Sequence, residues 1–335
     1  MTTSAVHYHL CPENPEAHLY RVVTTVQAPD EAQVLSLPAW IPGSYLVREF
    51  SKNIVRIWAT SGGKSVTLER VDKHTWIARG CTDVLTVEME VYAWDLSVRT
   101  AHLDQTHGFF NGTSMFLKVH GREHERCTVA ISPPKRAYGA QWGVATAMKR
   151  VSGEKWGFGS FEAEDYDALI DHPVEMGTFE VREFEACGTP HAFVLTGQYT
   201  CDWDRLIEDV RIICESQINM FGAPAPMDRY LFMTMVVGDG YGGLEHRWST
   251  ALICRRDSLP IPIEPQMTDG YRTFLGLVSH EYFHSWNVKR IKPAAFTPYD
   301  LSKENYTTLL WAFEGITSYY DDLILVQSGR ITAAS

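Results

Sequence analysis

The sequence has no surplus of basic charge, no paired cysteine pattern and no long apolar run. Its 30 Lys and Arg residues stand against 41 Asp and Glu, for a formal net charge of −11. A chain this acidic presents no basic face to nucleic acid or to an anionic membrane surface, so neither is expected as a partner. The acidic residues are scattered, which bears on solubility more than on substrate. Seven cysteines, at positions 11, 81, 127, 187, 201, 214 and 254, show none of the paired spacings of a structural zinc site. Their odd number argues against a complete disulfide framework, and buried free thiols are expected instead. No window reaches the length of a membrane-spanning helix. Met1 leads into His7-Tyr8-His9-Leu10 without a basic start or an apolar stretch, so no signal peptide is visible and a cytoplasmic location is expected. Internal repeats and low-complexity tracts are also missing.

With 335 residues, 45% hydrophobic and 21% charged, the chain is long enough to bury more than one core. Its first half alternates apolar and polar residues in runs such as Tyr20–Val26 and Val84–Val91, separated by turn signals at Pro42-Gly43, Gly62-Gly63 and Asn111-Gly112. That pattern predicts an N-terminal β-sandwich-like domain over residues 1–170. Strand patterns continue at Phe179–Phe184 and Ala192–Gly197, a helical pattern covers Trp203–Met220, and another apolar strand covers Tyr230–Val237. The fold class read from this order is α+β, with a second domain over residues 171–335 and a boundary near Asp171-His172-Pro173.

The chemistry is concentrated in His280-Glu281-Tyr282-Phe283-His284. Four residues of α-helix turn a side chain by about 400° and advance it about 6 Å, so both imidazoles land on one face and can close on one metal ion. Glu281, beside the first histidine, is placed for a general base acting on water held at that ion. The surrounding run, about Arg272 to Trp286, is apolar nearly all round, and Thr268 or Asp269 can cap its start. Two buried imidazoles cost desolvation unless paired, and one metal ion pairs both; single hydrogen bonds in the core are the alternative.

A hydrolytic zinc site needs a third protein ligand and an open position. A second helical pattern runs from about Glu304 to Gln327, with Leu309, Leu310, Phe313, Ile316, Tyr320, Leu323 and Ile324 at helical spacing and Gly329 as a stop. Glu314 falls in that stripe, where a carboxylate is costly unless it binds a cation, and it is the candidate third ligand; the alternative is a glutamate at a helix edge. Asp321, two turns on, suits an outer partner for a ligating imidazole, or is an ordinary solvated aspartate beside Asp322. Lys289 and Arg290 follow the first helix and either complement its dipole or meet substrate. Upstream, Asp239-Gly240-Tyr241-Gly242-Gly243 reads by itself as a flexible turn after a strand.

The run HEYFHSWNVKRIKP from His280 to Pro293, followed by WAFEGITSYY from Trp311 to Tyr320, resembles the glycyl aminopeptidase family of gluzincin zinc metallopeptidases. Gly242-Gly243-Leu244-Glu245-His246 also fits that family's pattern and is similar to the exopeptidase motif of related aminopeptidases. The likeness extends to Trp40-Ile41-Pro42-Gly43-Ser44-Tyr45 with Arg48-Glu49-Phe50, and to the stretch from Tyr92 to Leu117. The resemblance implies one Zn2+ per chain on His280, His284 and Glu314, with Glu281 as catalytic base. It further implies that Glu245 binds the free α-amino group of a peptide while Gly242 and Gly243 let the substrate backbone approach the strand edge.

The second domain would then be thermolysin-like. Complete members of the family continue with a helical lobe and commonly a PDZ module, so the resemblance implies a catalytic domain truncated at its C-terminus. The expected activity is removal of small N-terminal residues, glycyl or alanyl, from peptides with a free N-terminus. A zinc endopeptidase and a non-catalytic binding or scaffolding protein are the rival readings.

Overall fold

The computed structural model describes residues 5–334. It is an α+β fold with large β-sheets and few helices, and the chain forms two compact units. The first runs to Thr178 and takes in Asp300–Glu304; the second holds Phe179–Tyr299 and the residues from Asn305 onward.

The first unit contains an eleven-stranded and a four-stranded sheet. The alternation read in the sequence appears directly in Leu19–Val26, where Tyr20, Val22, Thr24 and Val26 are buried and the residues between them less so. This strand lies antiparallel to both Val6–Asn14 and Leu85–Tyr92. The two sheets are tied by side chains as well as by apolar packing: the Tyr20 hydroxyl donates to the His102 carbonyl at 3.0 Å. The segment from Trp40 to Phe50 forms a closed loop ahead of a short turn of helix. Ser44 receives Trp40 Nε1 on its carbonyl at 2.7 Å and Arg48 Nε on its hydroxyl at 2.8 Å. The backbone N–H groups of Arg48 and Glu49 both donate to the Ala39 carbonyl, and those of Ala39 and Trp40 to the carbonyl of Leu301.

The second unit is built on a five-stranded mixed sheet whose strands we number β1 (Phe179–Ala186), β2 (Thr189–Gly197), β3 (Tyr230–Val237), β4 (Gly242–Glu245) and β5 (Ser249–Arg255). Their spatial order is β1-β2-β3-β5-β4, which leaves β4 on an edge. Helix α1 (Trp203–Phe221) is the crossover between the parallel strands β2 and β3. Asp202 caps it by accepting from Arg205 N–H, and its buried Leu206, Val210, Ile213, Cys214, Gln217 and Ile218 recur at the helical period. Helix α2 (Asp269–Phe283) starts at Thr268, whose hydroxyl accepts from Tyr271 N–H at 3.1 Å. Its Tyr271, Phe274, Leu275, Val278 and Tyr282 join α1 and the sheet in one core with Phe193, Phe232 and Leu252. Each such side chain contributes roughly 1.5–3 kcal/mol by leaving water.

The downstream helix departs from the sequence pattern. It was expected from about Glu304, but regular structure begins with a π turn over Trp311–Gly315 and continues as α3, Ile316–Gln327. Ahead of it the Thr307 hydroxyl accepts from Leu309 N–H, a local bond that competes with helix. Leu309, Leu310 and Ile316 are exposed, whereas Phe313, Ile324 and Leu325 are buried, so the apolar stripe is narrower than the sequence suggested. Gly329 ends the helix with φ at 71°. All seven cysteines are free, and five are buried; Cys187 is exposed and Cys201 half-buried. Among the described residues no helix is long and apolar enough to cross a membrane.

A buried histidine gives this unit a pH dependence. His191 Nδ1 donates to the Thr189 carbonyl at 2.8 Å, leaving Nε2 to accept from the Tyr282 hydroxyl at 2.9 Å. Burial lowers its pKa to about 4, so the folded protein holds it neutral while the unfolded chain takes up a proton below the ordinary value of about 6.5. Its contribution to stability is therefore intact above about pH 6.5 and is lost as pH falls toward 4. Denaturant unfolding at pH 7 and pH 5 should differ by on the order of 2 kcal/mol from this residue, and His191→Gln should flatten that part of the difference. An unaltered pH slope in the variant would contradict the assignment.

Candidate active site

The residues singled out in the sequence converge on one face of α2 in the second unit. Tyr282 and Phe283 point into packed surroundings, so the intervening periodicity turns His280 and His284 to the other side of the helix. The two rings are nearly perpendicular, at 88°, and their Nε2 atoms lie 3.1 Å apart. Each ring is held through its other nitrogen. His280 Nδ1 donates to Asp321 Oδ2 at 2.8 Å, and His284 Nδ1 donates to the carbonyl of Asn287 at 2.9 Å. Since carboxylate and carbonyl oxygens only accept, both rings carry hydrogen at Nδ1 and direct Nε2 into the space between them.

Glu314 reaches the same space from the π turn, its Oε2 lying 3.4 Å from His280 Nε2 and 3.8 Å from His284 Nε2. It does not sit within a buried stripe, as its position in the sequence suggested: its side chain is 32% exposed. Two imidazole lone pairs and a carboxylate oxygen at these spacings are a cation's donor set. A proton is the smallest cation that can satisfy them. Burial opposes charge on His280, but its bonds to Asp321 and Glu314 outweigh burial and push its pKa up to about 10, whereas burial pushes that of His284 down. The donors, two nitrogens and one carboxylate, match a hydrolytic zinc site, and the residues fit that ion.

A second set overlaps the first. Glu245, Glu281 and His284 offer ligand-type atoms within 4.8 Å of one another, and all three are buried. Glu245 closes the edge strand β4, paired with Thr250 of β5. Gly243, two residues earlier, packs directly against Glu281: a Cβ there would stand 2.1 Å from Glu281 Oε1 and 2.4 Å from its carboxyl carbon. The absence of a side chain at this position makes room for Glu281, a role different from the one its sequence pattern implied. Gly242 has nothing within 4 Å of its Cβ position, so that side of the strand is open.

Sequence reading missed Asn287. Its side-chain amide donates to the Ala312 carbonyl at 2.9 Å and to Thr317 Oγ1 at 3.2 Å, linking the end of α2 to the segment that carries Glu314. An asparagine one turn past the second histidine was the available signal, and it was masked by reading the run only for metal ligands. Arg290 donates to the carbonyls of Ser285 and Pro226, which favours a structural part in the turns after α2.

One further group of metal-type side chains, His102, Asp104 and His107, lies in the first unit. There Asp104 accepts from the Thr106 N–H and hydroxyl, both at 2.6 Å, from His107 N–H at 3.0 Å and from His102 Nε2 at 3.2 Å. The two imidazoles are stacked at 25°, and the bonds of the carboxylate to Thr106 and His107 organise a hairpin turn.

Comparison with known proteins gives the family to which this fold and constellation belong. Residues 7–178 match the Peptidase M61 N-terminal domain and residues 273–335 match the M61 glycyl aminopeptidase domain. The chain belongs to the M61 glycyl aminopeptidase family. It is similar to the crystal structure of an aminopeptidase N family protein from Idiomarina loihiensis, with 47% identity and a TM-score of 0.95 over 97% of this chain and 55% of that one. The chain thus spans just over half the length of that relative. An M1 zinc metallopeptidase from Deinococcus radiodurans shares the fold, with 14% identity and a TM-score of 0.54 over 97% of this chain and 70% of that one. No curated protein matches the chain.

The fit of Gly243 under Glu281 is open to test. Gly243→Ala should force the carboxylate or strand β4 to shift and cost about 1–3 kcal/mol of stability. A crystal structure of the variant with Glu281 in its original rotamer and β4 unmoved would show that the contact is not limiting.

Proposed function

We propose that the chain carries the zinc centre of an aminopeptidase, with His280, His284 and Glu314 as ligands, Glu281 as general base and Glu245 as the group that receives a peptide's α-ammonium. The observation that carries this reading is the convergence of two Nε2 atoms and Glu314 Oε2 beside two further buried carboxylates. Zinc bound by these residues supplies Lewis acidity to a peptide carbonyl and makes a water molecule easier to deprotonate. Glu281, 5% exposed, takes the proton of the attacking water and passes it to the departing amine. Asp321 holds His280 in the tautomer that leaves Nε2 free, and the Asn287 carbonyl does the same for His284.

Glu245 gives the reading its direction. A carboxylate only 7% exposed at the end of an edge strand pairs well with an ammonium group and poorly with an uncharged acetamide. Strand β4 stands at the edge of its sheet, the position at which an extended peptide is added as a further strand. This supports cleavage of one residue from a free N-terminus, and the glycyl aminopeptidase family to which the chain belongs points to a small residue such as glycine or alanine. On this reading the second unit is thermolysin-like in the arrangement of its site.

The first test is elemental analysis for zinc, with hydrolysis of glycyl and alanyl chromogenic amides and of their N-acetylated counterparts. One zinc per chain and hydrolysis of the free amides alone are expected; equal hydrolysis of the acetylated compounds would indicate an endopeptidase, and zinc without turnover a binding module. Glu281→Gln should keep the metal and lower turnover about 10²–10⁴-fold. His284→Ala or Glu314→Ala should lose the metal, and full zinc occupancy in either variant would refute the ligand assignment. Glu245→Ala should raise KM for free N-termini and leave zinc content unchanged, and an unaltered preference for free over blocked substrates would remove it from the site.

A further inference from the structure

The π turn that bears Glu314 leaves one backbone carbonyl without its helical partner. Ile316 N–H bonds to the Trp311 carbonyl, five residues back, and so bypasses the carbonyl of Ala312 that an α-helix would give it. The Asn287 side chain fills that vacancy: Nδ2 donates to Ala312 O at 2.9 Å. Its second N–H goes to Thr317 Oγ1 at 3.2 Å, and the Thr317 hydroxyl donates onward to the Phe313 carbonyl at 2.6 Å. Donors and acceptors alternate consistently along this chain, and it is shielded from water, with Asn287 9% and Thr317 0% exposed.

The turn has a geometric purpose at the site. Glu314 and Asp321 address opposite nitrogens of the same imidazole, His280 Nε2 and His280 Nδ1. One extra residue in a helix rotates the part before it by about 100° relative to the part after it. With Asp321 fixed on His280, the direction in which Glu314 projects therefore depends on whether the π turn is kept. A regular α turn would return Ile316 N–H to Ala312 O, displace the Asn287 amide and swing Glu314 away from the two Nε2 atoms.

We propose that Asn287 is a positioning residue that locks the π turn and thereby holds Glu314 in register with His280 and His284. This rests on the reading of those three residues as the metal site. The same residue serves both sides of the site, since its main-chain carbonyl accepts from His284 Nδ1 while its side chain holds the segment opposite. Substitution of the side chain leaves the first contact in place and removes the second.

The experiment titrates the purified metal-free chain with Zn2+ against a competing chelator, and with Co2+ to record the visible d–d bands. It is run on the original protein, Asn287→Ala, Thr317→Val and Glu314→Ala, with thermal unfolding of each metal-free form. Asn287→Ala should bind zinc about 10–100-fold more weakly, with Co2+ d–d bands displaced in energy and intensity from those of the original chain, metal binding lost in Glu314→Ala, and a metal-free melting temperature near the original. Thr317→Val, which keeps the bond to Ala312, should show the same change to a smaller degree and serves as the readout should Asn287→Ala not fold. Undiminished affinity in both variants, or weaker binding with an unaltered Co2+ spectrum, would overturn the proposal, because a merely structural loss does not remove one ligand. Failure of the original chain to bind metal would instead sink the reading of the site itself.

Discussion

Two imidazole nitrogens 3.1 Å apart, each with its lone pair turned toward the other, are the constraint around which the second unit is arranged. Such a pair is repulsive unless something positive lies between, and it persists only where surrounding bonds fix both rings. Asp321 fixes one and the backbone at Asn287 the other. The rest of the helix is committed to the opposite task. Tyr282 reaches away from the histidines to His191 and packs on Tyr230, with ring centroids 4.8 Å apart, so the face that cannot tolerate water anchors the face that meets it.

The sheet completes the arrangement from the other direction. Strand β4 lies at the edge because β5 pairs with β3 in parallel and with β4 antiparallel, so the short strand Gly242–Glu245 is added outside the crossover. That placement brings a glycine under Glu281 and a carboxylate beside His284. Glu281 is thereby confined between its own helix and a strand with no side chain in the way. In the proposed role of a base that accepts and returns one proton, Glu281 gains from such confinement, since each rotamer it cannot adopt is one from which it need not return.

Much of this is legible in the sequence. The strand Tyr230–Val237 is readable with its bounds and α1 to within one residue, and α2 starts at Thr268, one of the two caps its sequence offers, about one turn ahead of its apolar run. Those elements are long and periodic, so local pattern and tertiary packing agree. The helix bearing Glu314 is misread at its start for the opposite reason. Its apolar residues continue the period upstream of Trp311, but the π turn shifts the phase, and Leu309 and Leu310 end up exposed. A phase shift of this kind is set by a side chain from another element, here Asn287, and no window along the helix itself contains it. Gly243 stands out in its strand by sequence pattern, but its contact with Glu281 does not, since the atoms a Cβ there would meet belong to a residue thirty-eight positions later.

Charge balance bears on the proposed site. Glu245, Glu281, Glu314 and Asp321 crowd around two imidazoles whose Nε2 atoms face one another. Four carboxylates so close, two of them buried, repel one another at a low local dielectric. A dication held by the imidazoles and Glu314 would offset half of that charge, and an ammonium beside Glu245 another unit. The single negative charge that remains is unchanged when a proton passes from a water in the site to Glu281, because the hydroxide left behind carries it. On this count a peptide with a blocked N-terminus would leave the buried carboxylate at Glu245 without its counter-charge.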